Sequence, residues 1–169
     1  MELEITYSPL ENGYLKSDIA PTEYDSTFRR IQLHGTVHDQ GAALLGGVAG
    51  HAGLFANASS VGKMMQMFLN GGSYNGYEYL NPETIDLFVK CFSCDSGNRR
   101  GLGFDRPQID GDGPTCGCVS SKSFGHTGFT GTFAWADPES GIGAGNRQGY
   151  QSGAYPAVKT YGLNLKFTF

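Results

Sequence analysis

An α+β fold, with helices set against a sheet of short strands, is what the sequence predicts, and three stretches predict it. Two segments space apolar residues as one face of a helix: Val61, Met64, Met65 and Phe68, then Ile85, Phe88, Val89 and Phe92. The third, residues 123–135, reads as two strands around a glycine-rich bend. There Gly125, Gly128 and Gly131 allow close backbone approach, and Phe133 and Trp135 share one face of the second strand.

The other elements follow in chain order. Residues 3–7 alternate weakly, as a strand would, and Ile19-Ala20-Pro21-Thr22-Glu23 reads as an extended edge, since proline disfavours helix in the residue before it. A short helix is expected near residues 42–45, between glycines. The first clear helix spans residues 59 or 60 to 70, with a serine as its N-cap and Gly71-Gly72 ending it. Asn75-Gly76 offers a hairpin turn, and Asn81-Pro82 opens the second helix. Residues 102–104 are expected to be a strand and residues 108–121 a loop. Beyond Ile142 the composition changes, which divides the chain into residues 1–142 and 143–169. The second part is a glycine-rich stretch and then a strict alternation of Tyr161, Leu163, Leu165, Phe167 and Phe169 with smaller or polar residues.

Composition excludes several classes of function. The 169 residues carry a formal charge of −4, with 12 Lys and Arg unclustered against 16 acids, which gives no electrostatic case for nucleic acid. No run of about 18 apolar residues exists to form a transmembrane helix, and residues 1–10 have neither the basic start nor the apolar stretch of a signal peptide. With 39% hydrophobic residues, one domain with a modest core is expected.

His126-Thr127-Gly128 resembles the third signature of the serine β-lactamase and penicillin-binding-protein superfamily, a Lys-Thr-Gly on the strand lining the active site. Histidine replaces that lysine among class C-like esterases and peptidases. Leu33-His34-Gly35-Thr36-Val37-His38-Asp39 and residues 46–55 (GGVAGHAGLF) resemble the β-lactamase-related domains found behind family 3 glycoside hydrolase domains. The resemblance covers residues 6–142 and implies a partial β-lactamase/transpeptidase-like fold, with a mixed, mainly antiparallel sheet and flanking helices. It also implies acyl transfer on a small amide or ester, in the periplasm or cell envelope. His126 would then act as hydrogen-bond donor or general acid, Thr127 and Gly128 would line the cleft, and the Phe129 N–H would be one oxyanion donor.

That mechanism needs a serine in Ser-x-x-Lys and a Tyr-x-Asn or Ser-x-Asn relay. Ser60-Val61-Gly62-Lys63 and Tyr79-Leu80-Asn81 match literally, but only 19 positions separate Ser60 from Tyr79, where the family inserts a longer helical region. Helix capping explains Ser60 and Asn81 more simply. A truncated, inactive domain is therefore expected, with sheet surface exposed for self-association. The last 25 or so residues resemble the C-terminal strand of TonB-dependent outer-membrane receptors, which suggests a chimera whose tail adds to the sheet beside residues 132–136.

Cys91, Cys94, Cys116 and Cys118 form two close pairs. They could bind zinc as four thiolates, form disulfides in an exported protein, or remain free. His34 and His38 stand four apart, with Asp39 and His51 following, but Gly35, Thr36 and Val37 argue against the helix a shared metal would need, and turn hydrogen bonding is the expected use. No cofactor other than zinc is implied.

Overall fold

The computed structural model describes residues 1–108, 115, 119–139 and 143–144, the last two as backbone only. The chain forms two compact units, one of Glu2–Ser60 and a second from Val61 onward together with Met1.

In the first unit β1 (Ile5–Thr6), β2 (Tyr24–Asp25), β3 (Ile31–Gln32), α1 (Gln40–Leu44) and β4 (Phe55–Ala56) follow one another. β1 pairs antiparallel with β4, and β2 with β3. One carboxylate organises the β2–β3 connection. Asp25, 7% exposed, accepts from the N–H groups of Thr27, Phe28 and Arg29 at 3.2, 2.9 and 3.1 Å and from Arg29 Nε at 3.0 Å. The Phe28 N–H foremost, with the Arg29 side chain, holds this carboxyl far below the usual aspartate range. Arg29 in turn donates to the carbonyls of Val37 and His38 at 2.6 and 2.5 Å.

Helix α1 starts earlier than its sequence suggested because Asp39 caps it, accepting the Ala42 N–H at 2.6 Å. It ends in a Schellman turn: Gly47 N–H reaches Ala42 O at 2.8 Å and Gly46 N–H reaches Ala43 O at 3.1 Å, with Gly46 left-handed at φ +82°. Further along the same loop a Cβ on Gly53 would stand 2.3 Å from the Gly47 carbonyl oxygen. The glycines of this motif thus answer to helix termination and to a backbone-on-backbone contact.

In the second unit come α2 (Ala58–Leu69, shared with the first unit at its start), β5 (Ser73–Tyr74), β6 (Tyr77–Glu78), α3 (Pro82–Val89), β7 (Phe124–Thr127), β8 (Phe133–Ala136) and β9 (Gly143–Ala144). The cap of α2 is Asn57, whose Oδ1 accepts the Ser60 N–H at 2.8 Å. The serine expected there lies inside the first turn instead. Gly71 and Gly72 close the helix with a second Schellman pair, to Phe68 O and Met67 O. Asn75 and Gly76 both take positive φ, +50° and +78°, as a two-residue hairpin turn between β5 and β6 demands. Asn81 caps α3 through the Glu83 N–H at 2.8 Å, with Pro82 in its first turn. Of the apolar face expected on α3, Ile85 is buried and Val89 half-buried, while Phe88 and Phe92 remain exposed.

The core joins Met65, Phe124 and Ala136, with Val61, Phe68, Leu69, Val89, Phe104 and Ala134 against them. Phe104 meets the rings of Phe68 and Phe124 edge-on, each at 5.2 Å between centroids. β7 and β8 pair antiparallel, placing Phe124 opposite Ala136, Gly125 opposite Trp135, and His126 opposite Ala134. Side-chain alternation therefore sends Phe124, Ala134 and Ala136 into this core and leaves Trp135 on the other face, over Gly125. A Cβ on Gly125 would stand 2.6 Å from the indole and 2.1 Å from the Ala134 carbonyl oxygen.

Two expectations are corrected. Residues 102–104 form a bend, and Asp105 provides the pairing, exchanging backbone hydrogen bonds with Gly125 at 2.7 and 3.1 Å. The single mixed sheet is replaced by small sheets whose pairs, among the described residues, are all antiparallel. Short turns join most of these pairs and permit only the antiparallel sense, whereas β1 and β4 meet across a long connection that carries β2, β3 and α1. Beside β8, Trp135 and Ala136 pair with Ala144 and Gly143. The strand expected over residues 160–169 and most of the loop expected over 108–121 lie outside the described residues.

Two predictions follow from this packing. Gly125→Ala should lower unfolding stability by about 2–3 kcal/mol in chemical denaturation, since neither a carbonyl nor a core indole can yield freely. Asp25, its folded pKa depressed below its unfolded value near 4, stabilises the fold fully above that pH, and this contribution is lost as pH falls. Asp25→Asn should therefore flatten the loss of stability below about pH 4 in an acid titration.

Candidate active site

β7 leaves the core for the surface within its own length. Ser123, Phe124 and Gly125 are buried, whereas His126, Thr127, Gly128 and Phe129 are exposed. The turn beyond them is closed by Gly128 N–H to Thr132 O at 2.6 Å and Gly131 N–H to Gly128 O at 3.1 Å, with Gly131 at φ +81°. A Cβ on Gly128 would stand 2.3 Å from Thr132 Oγ1, so a side chain there would force that hydroxyl to turn away. Phe129 is 90% exposed at the corner of the turn.

The His126 ring places Nδ1 2.6 Å from the Thr127 carbonyl oxygen. A carbonyl only accepts, so Nδ1 carries the proton in the neutral ring and Nε2 is left with its lone pair. This edge of the imidazole can accept a proton and, once charged, donate one. The arrangement suits binding a carbonyl or carboxylate and moving a proton beside it.

Buried charge steadies the strand at its N-terminal end, and sequence reasoning missed it. Asp105, 4% exposed, receives Arg100 Nε at 2.8 Å and Nη2 at 3.4 Å, with Arg99 Nη1 at 3.8 Å. Its backbone pairs with Gly125, which places β7 between Asp105 and β8. Asp137, also 4% exposed, accepts from Ser120 N–H and Oγ at 3.0 and 2.6 Å and from Glu139 N–H at 3.0 Å. Arg106 donates to the carbonyls of Lys122 and Ser123, and burial pushes its pKa down. The one signal for this framework is the adjacent pair Arg99-Arg100 ahead of an isolated Asp105; aspartate is a poor strand former, which hid it.

The other sequence matches serve structure. Ser60, 2% exposed, accepts the Glu4 N–H at its Oγ at 2.9 Å. The Tyr79 hydroxyl accepts from the amino group of Met1, and Asn81 caps α3. Ser60 belongs to the first unit and His126 to the second.

Cys91 and Cys94 are joined as a disulfide. In that state they have no thiolate to offer zinc, and Cys116 and Cys118 lie outside the described residues. Among the described residues no group of three or more His, Cys, Asp or Glu is placed to share a metal. His34 Nε2 lies 2.6 Å from Ile19 O, His38 Nε2 2.6 Å from Glu23 Oε1, and His51 Nε2 3.0 Å from Asp39 Oδ1.

β7 thus ends in an exposed His-Thr-Gly followed by a glycine turn. The chain belongs to the Beta-lactamase family, whose family model matches residues 9–145. It is 36% identical over 147 residues to a protein of Escherichia coli K12 named "Putative D-alanyl-D-alanine carboxypeptidase", a match covering 78% of this chain and 33% of that protein. A protein of the same name from Salmonella agona is 34% identical over the same shares. The chain thus spans about a third of the length of the curated relatives it matches. Among solved structures, a penicillin-binding-protein homologue from Caulobacter crescentus matches with a TM-score of 0.41 and 24% identity, covering 54% of this chain and 25% of that one. A family VIII carboxylesterase matches with a TM-score of 0.41 and 20% identity, covering 68% and 27%.

Asp105→Ala should cost about 1–3 kcal/mol, the range for unpairing a buried hydrogen-bonded group. It should also shift the His126 ring resonances in NMR spectra, because the ladder on Gly125 loosens next to that residue. Unchanged resonances with lowered stability would separate Asp105 from the site.

Proposed function

We propose that this chain supplies the substrate-binding wall of an acyl-transfer site for a small amide or ester, and that it does not complete the reaction by itself. The observation that supports this most is the exposed His126-Thr127-Gly128-Phe129 at the end of β7, within the stretch matched by the family. His126 would hold or move a proton through Nε2, and the Phe129 N–H would face a developing oxyanion. Ser60 is buried and hydrogen-bonded, and a serine must be reachable and beside a base to attack.

The names of the relatives support a cell-wall peptide ending in D-alanyl-D-alanine as one substrate class, and with it a place in the cell envelope. The Cys91–Cys94 disulfide suits such an oxidising compartment. No helix among the described residues is long and apolar enough to cross a membrane. Leu44, Leu45, Val48 and Leu54, all more than half exposed, support self-association or docking of further protein on the first unit. Residues 33–39 and 46–55 support a place behind a family 3 glycoside hydrolase domain, and the alternation of residues 161–169 supports a receptor-like terminal strand.

A chromogenic cephalosporin, a nitrophenyl ester and a D-alanyl-D-alanine peptide, each offered to the wild type and to Ser60→Ala, test the reading. The expected result is no turnover that depends on Ser60. Turnover abolished by Ser60→Ala, or a fluorescent penicillin attached to any residue of the monomer, would overturn it.

A further inference from the structure

The Cys91–Cys94 bond closes a very small loop, with a sequence separation of three. A cross-link stabilises chiefly by removing loop-closure entropy from the unfolded chain, and that gain shrinks as the loop shortens. Global stability is therefore a weak reason for this bond, and its surroundings give another. Cys94 is exposed and Cys91 half-buried, so an external thiol can reach the pair.

The bond sits at the head of the segment that reaches the site strand. Cys91 follows directly on the C-terminal end of α3, and Cys94 opens a 3₁₀ turn, Cys94–Ser96. That turn folds back on itself through Ser96 N–H to Ser93 O at 3.1 Å, Gly97 N–H to Cys94 O at 2.9 Å and Asn98 N–H to Ser93 O at 3.1 Å. Arg99 and Arg100 come next and hold Asp105. Gly101 N–H binds Phe104 O at 2.8 Å, and a Cβ on Gly101 would stand 2.6 Å from the Lys90 carbonyl oxygen. The segment thus lies tight against the end of α3, one residue before the disulfide, and delivers Asp105 to its ladder with Gly125, the neighbour of His126.

We propose that Cys91–Cys94 is an exchangeable disulfide, a redox site whose substrate is a small thiol or a dithiol reductase, and that its state sets the order of the Arg100–Asp105 segment beside β7. The step balances as thiol–disulfide exchange. A thiolate attacks the exposed Cys94 sulfur, forming a mixed disulfide and expelling the Cys91 thiolate. A second thiolate attacks the incoming sulfur of that mixed disulfide, releasing the oxidised disulfide and the Cys94 thiolate. Two external thiols lose two electrons, the cysteines gain them, and the two thiol protons end on Cys91 and Cys94. The inference does not depend on which acyl substrate the family site takes.

The test uses the full chain carrying Cys116→Ser and Cys118→Ser, so that only one pair reports. Alkylation followed by peptide mass analysis should find Cys91 and Cys94 blocked as purified and both modified after incubation with millimolar glutathione. Hydrogen exchange at the Gly101, Asp105 and Gly125 amides should then rise by about tenfold or more, the mark of a local opening. The α2 amides should keep their protection, which separates opening from unfolding. Cys91→Ser with Cys94→Ser should reproduce the fast exchange without any reductant. Free thiols in the protein as purified, a bond that resists glutathione, unchanged exchange at Asp105 and Gly125 after reduction, or loss of protection throughout α2 would each overturn the proposal.

Discussion

An absent side chain governs the second unit. At Gly125 the space a Cβ would fill is taken by the Ala134 carbonyl oxygen and the Trp135 indole. The large aromatic can lie over the strand because nothing projects from it there. This contact sets which face of β7 and β8 is which, since alternation is strict in a strand. Trp135 occupies one face, so Phe124, Ala134 and Ala136 must occupy the other and join Met65 and Phe104. Hydrophobic burial and close backbone approach select the same register, and a slip by one residue would forfeit both.

The exposed His126 depends on that arrangement. An imidazole two residues beyond a core phenylalanine would drift if its strand were an edge. Here β7 has neighbours on both sides, β8 through a regular ladder and Asp105 through a pair of backbone bonds. Asp105 is itself fixed by two arginines, so charge pairing in a short loop holds the strand that presents the histidine. A buried carboxylate is a poor source of net stability, but its cost is met by the paired guanidinium groups, and its position is well defined.

Much of the local structure was legible in the sequence. Asn75-Gly76 specified a two-residue turn with both φ angles positive, and Gly71-Gly72 specified the end of α2, because few other residues adopt those conformations. The strand pair around Gly128 and Gly131 was legible for the same reason. The cap of α2 was misread as serine although Asn57 stands just ahead, since both residue types accept the same N–H groups and only geometry separates them. On α3, spacing marked Ile85, Phe88, Val89 and Phe92 alike. How far each is buried depends on which neighbours arrive, and Phe88 and Phe92 are left at the surface.

By itself the sequence determined the Asn75-Gly76 turn, the glycine end of α2, the Asn81-Pro82 start of α3 and the two amphipathic helices. These rest on backbone conformation and on periodicity, which are properties of a few consecutive residues. The tertiary structure alone decided that Asp105 completes the sheet beside Gly125, that Ser60 is buried on the Glu4 amide, and that Cys91 bonds to Cys94. Each of those outcomes needs groups to meet in space, and a linear pattern encodes which residues can meet but not which of them do.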